Sequence, residues 1–211
     1  MRHGDIRARK KSRAYHHGDL RAALLLETEA ILERDGVQAL SLREAARAIG
    51  VSHAAPANHF GDLTGLLSEL AAIGFNRFTA ALVAAKAAAG DNPRAMRTAM
   101  GRAYVGFARA HPELFALMFQ SRRLDMTRPA LSEAIGAARQ ALRAAAFARA
   151  PVDPAAPLAA AAQGVALWSL VHGFAVLLND GRLAGTIKAL PGGEDADDLL
   201  DAVLAASQIG R

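Results

Sequence analysis

Apolar residues recur every three or four positions along most of the chain, and this spacing predicts amphipathic α-helices. No stretch alternates apolar and polar residues with a period of two, so we predict no sheet. The predicted fold class is all-α. We expect nine helices, at about residues 18–35, 42–49, 53–59, 63–89, 93–110, 112–119, 129–149, 158–179 and 195–208.

Residues 41–62 predict two short helices joined by a turn at Gly50. Ser41 and Glu44 have the spacing of a capping box, and Ser52 is predicted to cap the second helix. Glycine at position 50 permits the positive φ that such a turn needs. Two short helices joined by a glycine turn are typical of the helix-turn-helix, which places its second helix in the DNA major groove. An ordinary corner in an all-α core is the alternative.

The formal charge is concentrated at the N-terminus. Residues 1–17 hold 6 basic residues against Asp5, a net charge of 6 − 1 = +5, while the rest of the chain holds 19 basic and 19 acidic residues. We expect this basic arm to be disordered because it has few apolar residues to bury. Its charge suits contact with DNA phosphates or the minor groove, and a solvated tail is the alternative.

The composition argues against several classes of function. The chain has no cysteine, which excludes disulfides, thiolate metal sites and cysteine nucleophiles. The motifs of P-loop enzymes, nucleophile-elbow hydrolases, dinucleotide-binding enzymes and zinc proteases are missing, so we expect no enzyme, no cofactor and no metal. An apolar signal segment is also missing, and we expect a cytoplasmic protein.

The eighth predicted helix lies in a stretch without charge between Asp153 and Asp180, long enough to cross a bilayer. Gln163, Ser169 and His172 interrupt this stretch, and a basic N-terminal flank is missing. We therefore expect no membrane partner, and interpret it as a bundle or subunit-interface helix.

Residues 16–82 resemble the TetR family of bacterial transcriptional regulators. The matching positions are Leu42, Ala45 and Ala46, then Gly50-Val51-Ser52, then His59-Phe60 and Gly61-Asp62. The segments Tyr15–Leu20, Ser52–Pro56 and Leu167–Gly173 are similar to one subgroup, which carries a Trp…His-Gly signature in its C-terminal domain. The chain departs from the family where Ala57 replaces a usual tyrosine and Leu63 a usual lysine, which removes two expected phosphate contacts.

This resemblance implies three parts: a basic arm (1–17), a three-helix DNA-binding head (18–62) and a helical ligand-binding and dimerisation body (63–211). It implies a homodimer through about 158–208 that binds a near-palindrome in double-stranded DNA and responds to a small-molecule effector. A repressor is the family expectation. The alternative is a helical small-molecule or lipid-binding protein with a degenerate head.

The candidate site residues fall into two sets. The DNA-binding candidates are Ser41, Arg43, Ser52, His53, Ala54, Ala55, Asn58 and His59. Among them Asn58 could pair with adenine, and Ala54 or Ala55 could meet a thymine methyl group. The ligand-pocket candidates are Met100, Phe107, Phe115, Phe119, Trp168 and His172, for which core packing is the alternative.

Overall fold

A computed structural model of the chain describes residues 17–119, 121–146 and 156–207, and within these ranges the fold is all-α without a strand. The helices are α1 (His17–Asp35), α2 (Leu42–Ile49), α3 (Ala55–Phe60), α4 (Leu63–Ala89), α5 (Pro93–Ala110), α6 (Pro112–Met118), α7 (Pro129–Ala146), α8 (Pro157–Asn179), α9 (Ala184–Lys188) and α10 (Ala196–Ala206). Two 3₁₀ turns, Val37–Ala39 and Ser121–Arg123, connect them. The predicted basic arm up to residue 16 and the predicted end of α7 at 149 lie outside the described residues.

Several helices begin where a side chain satisfies the free backbone N–H groups of the first turn. The Asp62 carboxylate accepts a hydrogen bond from Gly65 N at 2.7 Å and starts α4. Asn92 accepts from two amides at the start of α5, ahead of Pro93. Asp195 and Asp198 form a reciprocal capping box on α10. These caps lie within one turn of their helices, which explains why the sequence predicts the boundaries closely.

The described residues contain ten helices, one more than the approximately nine that the sequence predicts. The additional helix is α9, which has five residues and an N-cap, Leu183, that provides no side-chain hydrogen bond. Such a segment is too short to show helical periodicity in the sequence.

The core is continuous from the N-terminal helices to α10. The long helix α4 runs through its centre and packs against α1, α3, α5, α6 and α7. Leu66, Leu70, Phe78 and Leu82 of α4 are fully or almost fully buried. One helix therefore contributes to the core of both the predicted head and the predicted body.

The outer side of α8 is largely exposed to solvent in the single chain. Leu158 is 82% exposed, and Val176 and Leu177 are also exposed. By length and apolar composition alone, both α4 and α8 could cross a membrane, although α4 is largely enclosed by its neighbours. Contiguous apolar surface is typical of interaction sites.

Candidate functional site

The turn between α2 and α3 has the geometry that its sequence predicts. Gly50 adopts the left-handed conformation (φ 71°, ψ 34°), and its N–H is donated to the carbonyls at the end of α2. The Ser41 hydroxyl accepts a hydrogen bond from Glu44 N at 3.1 Å, which is one half of the predicted capping box. The Glu44 carboxylate instead pairs with Arg47, so the prediction of a reciprocal box is wrong for α2.

The predicted cap of α3 is also wrong. The N-cap is Ala54, and it provides no side-chain hydrogen bond. Ser52 lies two residues before this N-cap. Its carbonyl accepts a hydrogen bond from Ala55 N at 3.0 Å, which closes a turn. The turn delays the start of the helix to residue 55, with Pro56 in the first helical turn as predicted. The Ser52 hydroxyl therefore does not serve as a helix cap, and the residue is exposed.

The eight DNA-binding candidates divide by exposure. Five of them are exposed, namely Arg43, Ser52, His53, Ala54 and Asn58, and three are half-buried, namely Ser41, Ala55 and His59. Asn58 follows Ala54 by one helical turn, and its N–H is donated to the Ala54 carbonyl at 3.1 Å. The two side chains consequently share one outward side of α3. The inward side is provided by Pro56 and Phe60, which are buried.

A contact between the body and α3 was not predicted. Arg128, just before α7, donates from Nη2 to the carbonyl of Phe60, the last residue of α3, at 2.7 Å. The same guanidinium lies 3.6 Å from the Glu69 carboxylate of α4. The contact joins residues 68 positions apart in the sequence, so no local pattern signals it.

A cavity of about 510 Å³ lies in the body between α4, α6, α7 and α8. Its described walls consist of Phe75, Phe78, Met118, Phe119, Met126, Ile135, Ala138, Arg139, Leu142, Arg143, Ala160, Ala161, Gly164, Val165 and Trp168. Its size is within the range of about 300–1,000 Å³ that is usual for small-molecule sites. The walls are apolar apart from two arginines and the indole N–H. The cavity is therefore suited to a ligand with an apolar body.

Behind this wall three polar side chains are joined by hydrogen bonds. Trp168 Nε1 donates to the Tyr104 hydroxyl at 3.2 Å, and that hydroxyl lies 3.0 Å from His172 Nδ1. Burial raises the pKa of the Tyr104 phenol and lowers the pKa of the His172 imidazole, so both side chains are held neutral. Because Tyr104 accepts from Trp168, its proton is available for Nδ1. The network fixes the orientation of Trp168 on the cavity wall.

Two of the six predicted pocket residues, Phe119 and Trp168, lie on the cavity wall. Phe115 and His172 lie directly behind Phe119, with ring centroids 5.0 and 4.6 Å from it. Phe107 packs against the ring of Phe78 at 5.3 Å, and Met100 is buried in the core. Sequence reasoning missed Tyr104, Arg128, Arg139 and most of the wall from α7. Among the described residues there is also no group of three His, Asp or Glu side chains that could hold a metal ion.

The described structure and the sequence were compared with known proteins. Residues 97–207 match the family model described as "Tetracyclin repressor-like, C-terminal domain". A solved protein of unknown function from Rhodococcus sp. RHA1 is 36% identical, with a TM-score of 0.73 over 92% of this chain and 96% of that one. The chain belongs to the TetR family. This is a family of transcriptional regulators, not of enzymes.

More distant TetR-like structures share the fold. The TetR family transcriptional regulator PfmR from Thermus thermophilus is 21% identical, with a TM-score of 0.55 over 86% of this chain and 94% of that one. The multidrug binding protein EbrR, solved with imidazole, is 20% identical, with a TM-score of 0.56 over 94% of this chain and 97% of that one. No curated protein sequence matches the chain. The prediction of an all-α TetR-like fold is confirmed.

Proposed function

We propose that this TetR-family protein is a ligand-responsive regulator that binds a near-palindromic operator as a homodimer and is released by a small-molecule effector. The observation that carries the proposal is the outward side of α3. It exposes Asn58 and Ala54 immediately after the Gly50 turn, while Phe60 anchors the helix from below. A short helix held in this way has the form that enters a major groove.

We assign the base-reading role to candidates on and immediately before α3, namely the exposed Asn58 and Ala54 and the half-buried Ala55. Asn58 has the donor and acceptor that pair with adenine, and the methyl groups of Ala54 and Ala55 suit a thymine methyl. His53 and Ser52 lie beside them and are assigned to the groove edge or a phosphate. Arg43 at the start of α2 is assigned to the DNA backbone, together with Ser41 and His59. The basic arm adds phosphate contacts.

We assign the dimer interface to α8 and α10, within residues 158–208. A Cβ atom added to Gly173 of α8 would meet no atom within 4 Å, so this mid-helix glycine is not required by packing inside the chain. Glycine costs about 1 kcal/mol relative to alanine in a helix, and close approach of a second helix offsets that cost. Val176, three residues after Gly173 on α8, is apolar and exposed, and this supports the same side of α8 as the interface. Gln163, Ser169 and His172 favour a protein partner over a bilayer.

We assign effector binding to the cavity, and its coupling to the head to α4. Phe75 and Phe78 of α4 line the cavity, and the same helix begins at Asp62, directly after α3. A ligand that favours one spacing of the two heads must weaken operator binding by the same coupling free energy that the operator exerts on the ligand. We also propose that the protein is a repressor, that it belongs to the Trp-His-Gly subgroup and that it is located in the cytoplasm.

The experiment is selection of bound fragments from a random DNA pool with the full chain. We expect two half-sites related by a two-fold axis and about one helical turn apart, roughly 34–36 Å. A chain that lacks residues 1–17 serves as the control and should select the same consensus with weaker binding. Selection without a consensus would contradict the proposal.

A helical small-molecule-binding protein with a degenerate head is the second candidate, because Ala57 and Leu63 are apolar and half-buried where the family usually has phosphate-binding residues. This candidate predicts that the cavity binds ligands while no DNA sequence is enriched. Binding that depends only on the basic arm would also favour it.

A further inference from the structure

We infer that the cavity ligand is an apolar molecule with an anionic group, a carboxylate in the simplest case. This inference rests on the proposed role of the cavity as the effector site. Among the described wall residues, the polar side chains are Arg139, Arg143 and Trp168. The Trp168 N–H is already donated to the Tyr104 hydroxyl. The Arg139 guanidinium, which carries N–H donors and no acceptor, is therefore the group that can orient a ligand.

A second arginine lies near Arg139 and adds to the positive charge at the cavity. Arg139 and Arg143 are four residues apart on α7, which places them on the same side of the helix. Both are exposed at the edge of a cavity whose other wall residues are apolar or aromatic. Arg139 makes no hydrogen bond or ion pair with any residue in the described ranges, so its guanidinium is available to an incoming anion. Guanidinium groups bind carboxylates with charge-assisted, often bidentate hydrogen bonds.

The test compares three ligands with the same ten-carbon chain: decanoate, 1-decanol and decylamine, each below its micelle concentration. Isothermal titration calorimetry of the full chain should give tightest binding for decanoate. Arg139→Gln should weaken decanoate binding by about 1.5-fold to fivefold, as expected for a solvent-exposed charge pair, and leave 1-decanol unchanged. Arg94→Gln is the matched control, because Arg94 is exposed and lies outside the cavity wall.

The outcomes separate this inference from the proposed function. Binding of 1-decanol or decylamine as tight as that of decanoate would overturn the anionic class and leave the effector site standing. Failure of all three to bind would overturn this inference, whereas the proposed regulator is tested separately by the selection of bound DNA fragments. An equal loss of decanoate and 1-decanol binding in Arg139→Gln would also count against the inference, because it would indicate damage to the cavity and not loss of a charge contact.

A different contact carries a second inference. We propose that Arg128 is a positioning residue for α3, the proposed DNA-recognition helix. The last carbonyls of a helix have no partner within the helix, and cationic side chains favour this end of the helix dipole. Arg128 Nη2 satisfies the Phe60 carbonyl at 2.7 Å. Arg128 Nε, in contrast, is buried without a hydrogen bond and lies 3.8 Å from the Asp125 carboxylate. Within the described part of the chain, the Phe60 carbonyl is thus the one hydrogen-bond acceptor of this guanidinium.

The neighbouring residues are arranged around this contact. A Cβ atom at Gly65 would lie 2.0 Å from the Phe60 oxygen and 2.3 Å from Arg128 Nη2, so only glycine leaves room for both. Glu69 accepts from Arg21 at 2.6 Å, and the Arg21 guanidinium lies 5.6 Å from the centre of the Phe60 ring. The end of α3 is therefore held by charged groups from α1, α4 and the loop before α7.

The loop that carries Arg128 also reaches the cavity. Met126 lies on the cavity wall two residues before Arg128. The Asp125 N–H donates a hydrogen bond to Ser68 Oγ of α4 at 2.8 Å. This loop therefore touches the ligand site, the central helix and the recognition helix. That arrangement is the reason for assigning Arg128 a positioning role beyond ordinary packing.

The test is backbone hydrogen exchange of Arg128→Gln, Arg128→Lys and the control Arg94→Gln in the full chain. In Arg128→Gln we expect amides of residues 57–61 to exchange roughly threefold to tenfold faster, the fold-change expected for loss of one hydrogen bond, while α1 and α2 are unchanged. Lysine keeps a cationic donor and should restore part of the protection. Unchanged exchange in α3, or an equal acceleration throughout the head, would overturn the assignment.

Discussion

The outward sides of α3 and α8 are both uncovered in the single chain, but they differ in chemistry. Near α3 the exposed groups include the imidazole of His53 and the amide of Asn58, whereas α8 exposes Val176 and Leu177. Polar groups can hydrogen-bond to water, so the α3 side is stable without a partner. Apolar area is unfavourable in water by about 25 cal/mol per Å². The difference fits the proposal of a reversible DNA contact at α3 and a permanent dimer contact at α8.

The largest expected effect comes from placing a charge on the α8 side with Gly173→Arg. The long cation would lie in the proposed interface, so we expect a monomer in sedimentation velocity. Operator affinity should fall about a hundredfold or more, the order of the gain that two linked contacts provide over one.

The matched control is Gly106→Arg, since Gly106 is also a mid-helix glycine whose added Cβ would meet no atom within 4 Å. It should remain dimeric. A Gly173→Arg chain that is still a dimer with full operator affinity would show that α8 is not covered by a second copy at this position.

The next effect concerns the support beneath α3. Gly65→Ala places a Cβ atom 2.0 Å from the Phe60 carbonyl oxygen, a backbone atom that cannot rotate away. We expect destabilisation of about 1–3 kcal/mol, as for other overpacked positions, measured by urea denaturation. Gly106→Ala is the control and should be neutral or slightly stabilising, because its Cβ has open space and alanine favours helix. Equal stability of the two variants would contradict the described packing.

Asn58→Ala tests whether the α3 side reads bases. We expect discrimination between the selected operator and single-base variants to fall by about 1–3 kcal/mol at the affected position, with an unchanged dependence of affinity on salt. His53→Ala serves for comparison, because His53 lies on the same exposed surface but is assigned to the groove edge or a phosphate. If Asn58→Ala weakens binding to every DNA sequence equally, the residue contacts the backbone instead.

The smallest effect is a pH dependence on the inner side of α8. Burial lowers the pKa of His172 below its usual value of 6.5. The unfolded chain therefore binds a proton more readily, and the free energy of unfolding decreases as the pH falls below about 6.5. We expect the fall in melting temperature between about pH 7.5 and about pH 5.5 to be smaller in His172→Phe than in the natural chain. His53→Ala, at an exposed histidine, is the control, and equal falls in all three chains would contradict this account.

The sequence predicts the elements whose signals are local. The Gly50 turn, the end of α4 and the start of α5 follow from residues within one helical turn of each boundary. The predicted start of α3 was wrong, although it too rested on a local signal. Serine is a common helix cap, but the Ser52 carbonyl accepts a hydrogen bond from Ala55 N and forms a turn instead. Local patterns identify the possible structures, and the surrounding chain selects among them.

The cavity and its supports could not be read in the same way. Tyr104 and His172 are 68 positions apart, as are Phe60 and Arg128, and each pair meets through the packing of whole helices. Aromatic residues in the body indicated that a pocket was possible, but they did not distinguish Phe119 on its wall from Phe107 in the core. Arg139 has no motif at all, and its significance comes from the apolar walls around it.

Trp168 is the single tryptophan of the chain, and it lies on the cavity wall, partly exposed, with its N–H held by Tyr104. Its fluorescence therefore comes from one place in the molecule. A compound that enters the cavity displaces water from the indole ring and changes the emission spectrum, without any attached dye. The natural protein thus contains its own optical sensor, with which libraries of compounds can be screened directly.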